Sequence, residues 1–151
     1  MQDSTPDFYN RNNKRMIKFD VSTIKNIALF ENITRTKARD CIEDEGILIF
    51  IVEPFEIGKA IGKNGANIKR LESMTHKKVK VAEYSDDLVK FIRSMLMPLK
   101  VEEITQDGEI VTIKDDDTRT KGLIIGRNAS NLRKLENYVK RYFPIKEIKV
   151  V

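Results

Sequence analysis

Residues 61–72 read IGKNGANIKRLE, and residues 125–136 read IGRNASNLRKLE. Aligned without a gap, the two segments are identical at Ile61/Ile125, Gly62/Gly126, Asn64/Asn128, Asn67/Asn131, Leu71/Leu135 and Glu72/Glu136. The other pairs keep size or charge: Lys63/Arg127, Gly65/Ala129, Ala66/Ser130, Ile68/Leu132, Lys69/Arg133 and Arg70/Lys134. Such self-similarity at a fixed spacing marks an internal duplication. In a chain of 151 residues, two copies mean two small domains, each near the lower limit for independent folding.

The flanks of the two copies match as well. Each is followed by an alternating, strand-like stretch, Lys78–Ala82 in the first and Lys146–Val150 in the second. Each is preceded by an apolar strand, Ile47–Val52 (closed by Pro54) and Glu109–Ile113. Further upstream, Val21–Ile33 has helical spacing with Ile24, Ile27 and Ala28 on one face, and Ala38–Glu43 reads as a strand. In the second copy Ser85 or Asp86 is positioned to cap a helix running to about Met97, with Leu88, Phe91, Ile92 and Met95 inward and Pro98 as its stop. Val101–Ile104 is then a strand, turned at Gln106-Asp107-Gly108. Each unit reads helix, strand, strand, helix, helix, strand, an α+β order. The expected division is an unstructured lead-in over residues 1–18, one domain over 19–84 and a second over 85–151. The junction Glu83–Asp87 has no Gly or Pro, so it is expected to be tight.

Composition narrows the chemistry. Hydrophobic residues make up 40% and charged residues 34%, and no apolar run approaches the roughly 18–20 residues of a membrane helix. Met1–Asp7 has no basic region leading into an apolar stretch, so no secretory signal is expected. The one cysteine, Cys41, leaves no internal disulfide or multi-cysteine zinc site, and the one histidine, His76, has no second His or Cys nearby to complete a metal site. A soluble, cytoplasmic protein is the expectation. The formal charge of +5 is unevenly spread. Residues 56–81 and 118–149 together hold 16 basic and 4 acidic side chains, leaving 12 basic and 19 acidic in the rest. Both basic windows contain a copy of the repeat, as a polyanion-binding footprint would.

Within the repeat, Gly62-Lys63-Asn64-Gly65 lies between two stretches of helical spacing, Ile57, Ala60 and Ile61 before it and Ile68 and Leu71 after it. In the second copy Leu132, Leu135, Val139 and Tyr142 continue the stripe. A helix–GxxG–helix turn suits a phosphate for three reasons. Glycine has no Cβ to hold a sugar–phosphate backbone away, the opening N–H groups and dipole of the second helix favour an anion, and Lys63 adds charge at the tip. On these residues the sequence resembles the KH domain, whose GxxG loop clamps about four nucleotides of single-stranded nucleic acid. The element order resembles the type II form: a three-stranded sheet packed with helices on one face. Two such units in tandem are similar to the archaeal NusA transcription termination/antitermination family. Supporting stretches are Ile27–Thr34, Arg39–Ile42, Gly58–Gly65, Ile68–Glu72, Val79–Ser85 and Gly122–Arg127.

The resemblance implies a primary clamp at Gly62, Lys63, Asn64 and Gly65, flanked by Lys59, Lys69, Arg70 and Lys80, with Ile61 and Ile68 shaping an apolar floor. Gly126, Arg127, Asn128 and Ala129, with Lys121, Arg133 and Lys134, form a secondary site. Alanine stands at 129 where the pattern has glycine. If that position needs a left-handed backbone, the cost is about 1–2 kcal/mol, and the first unit is then the stronger clamp. The implied partners are single-stranded RNA and RNA polymerase, with the chain monomeric and without a cofactor, metal or membrane.

Sharper chemistries fit poorly. Gly58–Lys63 is one residue short of a P-loop, and Asn64 stands where Ser or Thr would hold magnesium. Asp115-Asp116-Asp117 lacks the spacing of a calcium loop and reads as a solvated turn. His76 reads as a surface side chain and Cys41 as a small buried one. No pair of carboxylates sits in an apolar stretch that would tune it for acid–base catalysis, so no enzymatic activity is expected. Two alternatives to the RNA-binding transcription factor stand beside it: a protein-docking adaptor, and a ribosome-associated or RNA-processing KH protein.

Overall fold

The computed structural model describes residues 20–151. Before Asp20 it describes only the backbone of Phe8–Tyr9 (β1) and Arg15–Met16 (β2), which pair antiparallel with Phe8 opposite Met16. The rest of the expected lead-in lies outside the described residues. The chain divides into two compact units, one of Phe19–Met97 and one containing Pro98–Val151.

In the first unit α1 (Val21–Thr34) begins at Asp20, whose carboxylate accepts the Thr23 N–H at 2.7 Å, and ends at Arg35 in the left-handed region. β3 (Ala38–Asp44), β4 (Ile47–Val52) and β5 (Lys78–Glu83) form one sheet in the order β3-β4-β5. β3 and β4 are antiparallel, with the register shifting at Arg39, and β4 and β5 are parallel. A parallel pair requires a crossover. Here the crossover is α2 (Ile57–Ile61), a single 3-10 turn over Lys63–Gly65, and α3 (Ala66–Thr75). The repeat is thereby fixed between two neighbouring strands. Phe30 stacks on Phe50 with ring centroids 4.3 Å apart, and around them lie Leu48, Val52, Ala60, Leu71 and Val81. Each large side chain buried this way contributes about 1.5–3 kcal/mol. Phe30, with Ile27, Ile33 and Thr34, sets the inward face of α1, so the expected stripe is corrected: Ile24 and Ala28 are exposed. Cys41 is buried.

α4 (Leu88–Leu96) buries Leu88, Phe91, Ile92 and Met95 as its spacing implies, and its cap is Asp87, one residue beyond the expected positions. The compact unit that contains α4 reaches Met97. Its hold on β5 is partly polar: Ser94 Oγ accepts the Glu83 N–H at 2.6 Å, and Lys80 Nζ donates to the Met95 carbonyl.

The second unit repeats the sheet as β6 (Glu103–Asp107), β7 (Ile110–Lys114) and β8 (Glu147–Val150), antiparallel then parallel. β6 starts and ends later than its apolar residues suggest, because Thr105, Gln106 and Asp107 are exposed edge positions with no hydrophobic signal. The crossover is α5 (Thr118–Ile125), a 3-10 turn over Arg127–Ala129 and α6 (Ser130–Lys140). Its core includes Ile104, Val111, Ile113, Ile124, Leu135, Val139 and Ile148. The expected solvated turn at Asp115–Asp117 is corrected in one respect. Asp115 is buried, its carboxylate accepting the N–H groups of Asp117 at 2.8 Å and Glu102 at 3.1 Å. Asp117 caps α5, and its hydrogen bond from the Thr120 hydroxyl, then that from the Arg119 N–H, holds its carboxyl below the usual range.

Candidate nucleic-acid interface

The two loops have the same backbone. Gly62 and Gly126 lie at φ/ψ 80/168° and 73/178°, Asn64 and Asn128 at 56/28° and 54/33°, and Gly65 and Ala129 at 71/21° and 60/22°. The first of these conformations is essentially restricted to glycine. The second is one asparagine tolerates better than most side chains, which accounts for the identity at 64/128. The third is left-handed in both copies, so Ala129 does carry the strain expected for an L-residue there.

The asparagine and glutamate identities at 67/131 and 72/136 also have contacts that explain them. Asn67 Nδ2 donates to the Lys59 carbonyl at 3.1 Å, and Asn131 Nδ2 donates to the Leu123 carbonyl at 3.0 Å, tying the end of the first crossover helix to the start of the second. Glu72 Oε2 accepts the Val79 N–H at 3.0 Å, and Glu136 Oε2 accepts the Ile148 N–H at 2.9 Å. Leu71 and Leu135 are buried, Ile61 packs half-buried against the core that contains Leu71, and Ile125 is half-buried. Residue type and spacing alone do not assign these roles to Asn67, Asn131, Glu72 and Glu136; their identity in both copies is the available signal.

Chemically, the loops present uncapped helix starts and cations. Among the helices of eight or more residues, α1, α4 and α5 each open on an aspartate that accepts a backbone N–H, whereas no side chain caps α3 or α6. Neither of those helices has an acidic residue in its first turn. Such an N-terminus leaves donors and a positive dipole end for an anion. Lys63 and Asn64 are exposed at the tip, as are Arg127 and Asn128 in the second loop. Around Gly65 there is open space: a Cβ built there meets nothing within 4 Å, so a ligand backbone can approach. In the second loop the Ala129 methyl occupies the equivalent direction.

Apart from Lys80, the expected flanking residues lie on the helices either side of the two loops. Lys59, on α2, and Lys69 and Arg70, on α3, are exposed near the first loop in sequence, with Ile61 and Ile68 half-buried on the same helices. In the second unit Arg133 and Lys134 on α6 correspond to Lys69 and Arg70, with Arg133 exposed and Lys134 half-buried, while Lys121 is half-buried on α5. Lys80 is held elsewhere: its ammonium is bonded to Met95 O, and burial lowers its pKa. Leu123, exposed on α5, takes the place that Lys59 has in the first copy, making the second site more apolar. Among the described residues no group of three or more His, Cys, Asp and Glu side chains is placed to hold a metal. No helix there is long and apolar enough to cross a membrane.

No protein-family model matches the chain. It is 30% identical over 138 residues to the "Probable transcription termination protein NusA" of Methanocaldococcus jannaschii, covering 89% of this chain and 75% of that protein. The like-named protein of Methanococcus vannielii is 32% identical over 138 residues, covering 89% and 80%. That of Thermoplasma acidophilum is 30% identical over 140 residues, covering 89% and 95%. Among solved structures, "Crystal structure of APE1850" superposes with a TM-score of 0.72 at 29% identity, over 88% of this chain and all of that one. With two α+β units that each carry the same helix–loop–helix crossover, and with identity to these relatives along most of both chains, this chain belongs to the archaeal NusA family.

Proposed function

We propose that the chain is a monomeric, cytoplasmic, non-enzymatic transcription factor that grips single-stranded nascent RNA through its two loops and so modulates elongation or termination by RNA polymerase. In this reading the KH units are residues 19–84 and 85–151, the names of the relatives supply the process, and the loops supply the contact. The observation that carries it is the pairing of an uncapped α3 start with the open face of Gly65 and the exposed Lys63. Three features then converge on one phosphate path: backbone donors, room for approach and a mobile cation. Lys59, Lys69 and Arg70 extend that path, and Ile61 and Ile68 border the space for unstacked bases. The second loop, with the Ala129 methyl and Leu123, is the weaker clamp, and Arg127 offers it a forked donor.

The test is anisotropy titration of short labelled single-stranded RNAs at two salt concentrations. Asn64 is left-handed, a conformation aspartate also accepts, so Lys63→Asp with Asn64→Asp reverses the charge without breaking the turn. Loss of charge-assisted contacts worth about 1.5–3 kcal/mol predicts weakening of about 10- to 100-fold, with a shallower salt dependence. The corresponding Arg127→Asp, Asn128→Asp variant weakens binding less. Binding that ignores the first pair of changes removes the loop from the mechanism and favours a protein-docking adaptor.

A further inference from the structure

Phe55 is the most exposed large hydrophobic side chain among the described residues, at 97%. Its backbone is also held where a bulky residue seldom goes, at φ +70°. Glu53-Pro54-Phe55-Glu56 forms a turn closed by the Glu56 N–H donating to the Glu53 carbonyl at 3.2 Å. Pro54 suits the second position of such a turn, and the third position, occupied by Phe55, is the one glycine normally fills. The Phe55 N–H in turn donates to Glu83 Oε1 at 2.5 Å. Two hydrogen bonds therefore secure the turn and project a ring that packs against nothing. Neither folding nor core packing accounts for a phenylalanine at this position.

The charge around the ring indicates its partner. Glu53, Glu56 and Glu83 surround the turn in sequence and by these bonds. Glu53 is matched by Arg39, whose Nε and Nη2 reach its two oxygens at 2.8 and 3.1 Å. Arg39 also lies 3.8 Å over the Tyr84 ring, and Tyr84 donates to Asp86 at 3.1 Å. Among the described residues, the carboxylates of Glu56 and Glu83 form no ion pair, and Glu83 instead accepts the Phe55 N–H. An RNA phosphate or an anionic membrane would be repelled here, whereas the first repeat loop, at the other end of α2, carries the opposite sign in Lys63. α2 is five residues long, about 7.5 Å, so the two features lie at opposite ends of one short helix.

We propose that Phe55 is the anchor of a protein-docking site, and that its partner is a protein presenting an apolar pocket rimmed by lysine or arginine. An exposed aromatic entering a pocket gives the apolar centre of such an interface, and the carboxylate collar gives it orientation and on-rate. The site does not depend on the RNA-binding reading, because it shares no residue with the loops.

To test it, p-benzoylphenylalanine is placed at position 55 of the full chain and photo-crosslinked in extract of the source cells. The attached polypeptide is identified, purified and titrated by calorimetry against wild type, Phe55→Ala, Phe55→Gly and Glu56→Lys. The expected result is at least tenfold weaker binding for both Phe55 variants, weaker binding for Glu56→Lys, and an affinity that falls as salt rises. Phe55→Gly keeps or raises the melting temperature, since glycine relaxes the turn and no packing is lost, which separates lost docking from lost folding. RNA affinity, measured alongside, stays unchanged in both Phe55 variants. Crosslinking to RNA or to nothing, loss of RNA affinity in Phe55→Gly, or equal affinity of the purified partner for wild type and both Phe55 variants would each overturn the proposal.

Discussion

The amide of Asn67 fills the space in which Gly62 would carry a side chain. A Cβ built on Gly62 lies 3.0 Å from Asn67 Cγ and Nδ2, and the same construction on Gly126 comes within 2.6 Å of Asn131 Cγ. The first glycine of each loop is thus required by the protein's own asparagine before any ligand arrives.

Gly62→Ala is expected to destabilise the first unit by about 1–3 kcal/mol, from the glycine-only backbone and from this contact. Asn67→Ala costs about 1 kcal/mol through the lost bond to the Lys59 carbonyl. In the double variant the contact is gone but the backbone strain stays. Urea denaturation should therefore show a total below the sum of the two single losses and above the Asn67→Ala loss alone. Strict additivity would mean the two residues do not interact.

Ala129→Gly should stabilise the second unit by about 1 kcal/mol, and Gly65→Ala should destabilise the first by a similar amount, because both positions are left-handed. A Cβ at Gly65 meets no neighbour, so conformation alone sets that cost. Thermal melts check both signs. If Ala129→Gly also tightens RNA binding, the methyl is an obstacle to approach at the second loop.

Glu72 and Glu136 satisfy strand N–H groups on β5 and β8 that the sheet pairing leaves to side chains. Replacing either with alanine strands a part-buried donor and is expected to cost about 1–2 kcal/mol. Glutamine retains a carbonyl oxygen in reach and should cost less. Hydrogen exchange at Val79 and Ile148 reads the effect directly: faster in the alanine variants, near wild type in the glutamine ones.

Burial depresses the Lys80 pKa, so between that lowered value and the ordinary 10.5 the unfolded chain binds more protons than the folded one. Stability contributed by this group rises with pH across the window. The unfolding free energy of wild type, measured against Lys80→Met, should therefore gain as pH is raised toward about 10.5. A difference that shrinks instead would mean that the Met95 carbonyl outweighs burial and raises the pKa.

Short-range pattern accounts for much of what was legible. The duplication, the apolar run at 47–52, the stripes of α4 and α6 and the stop at Pro98 are all encoded within a few residues, because helix and strand periodicity is a local property. The candidate loops were legible for the same reason, as glycines and cations inside a repeated helical frame. The inward face of α1 was not: Phe30 turns it by stacking on Phe50, on a strand across the sheet. Asp115 was read as solvated because nothing in its own triplet announces that Glu102 comes back to meet it.

Side-chain roles divide along the same line. From residue order alone followed two α+β units, the place of each loop in its crossover and the segregation of charge. The bond of Lys80 to Met95, the reach of Glu72 to Val79, the lock between Asn67 and Gly62 and the isolation of the Phe55 ring all depend on which distant groups the folded chain brings within a few ångströms. Periodicity reports which face of an element is apolar. Partner and exposure are properties of pairs, and those pairs exist once the strands have taken their register.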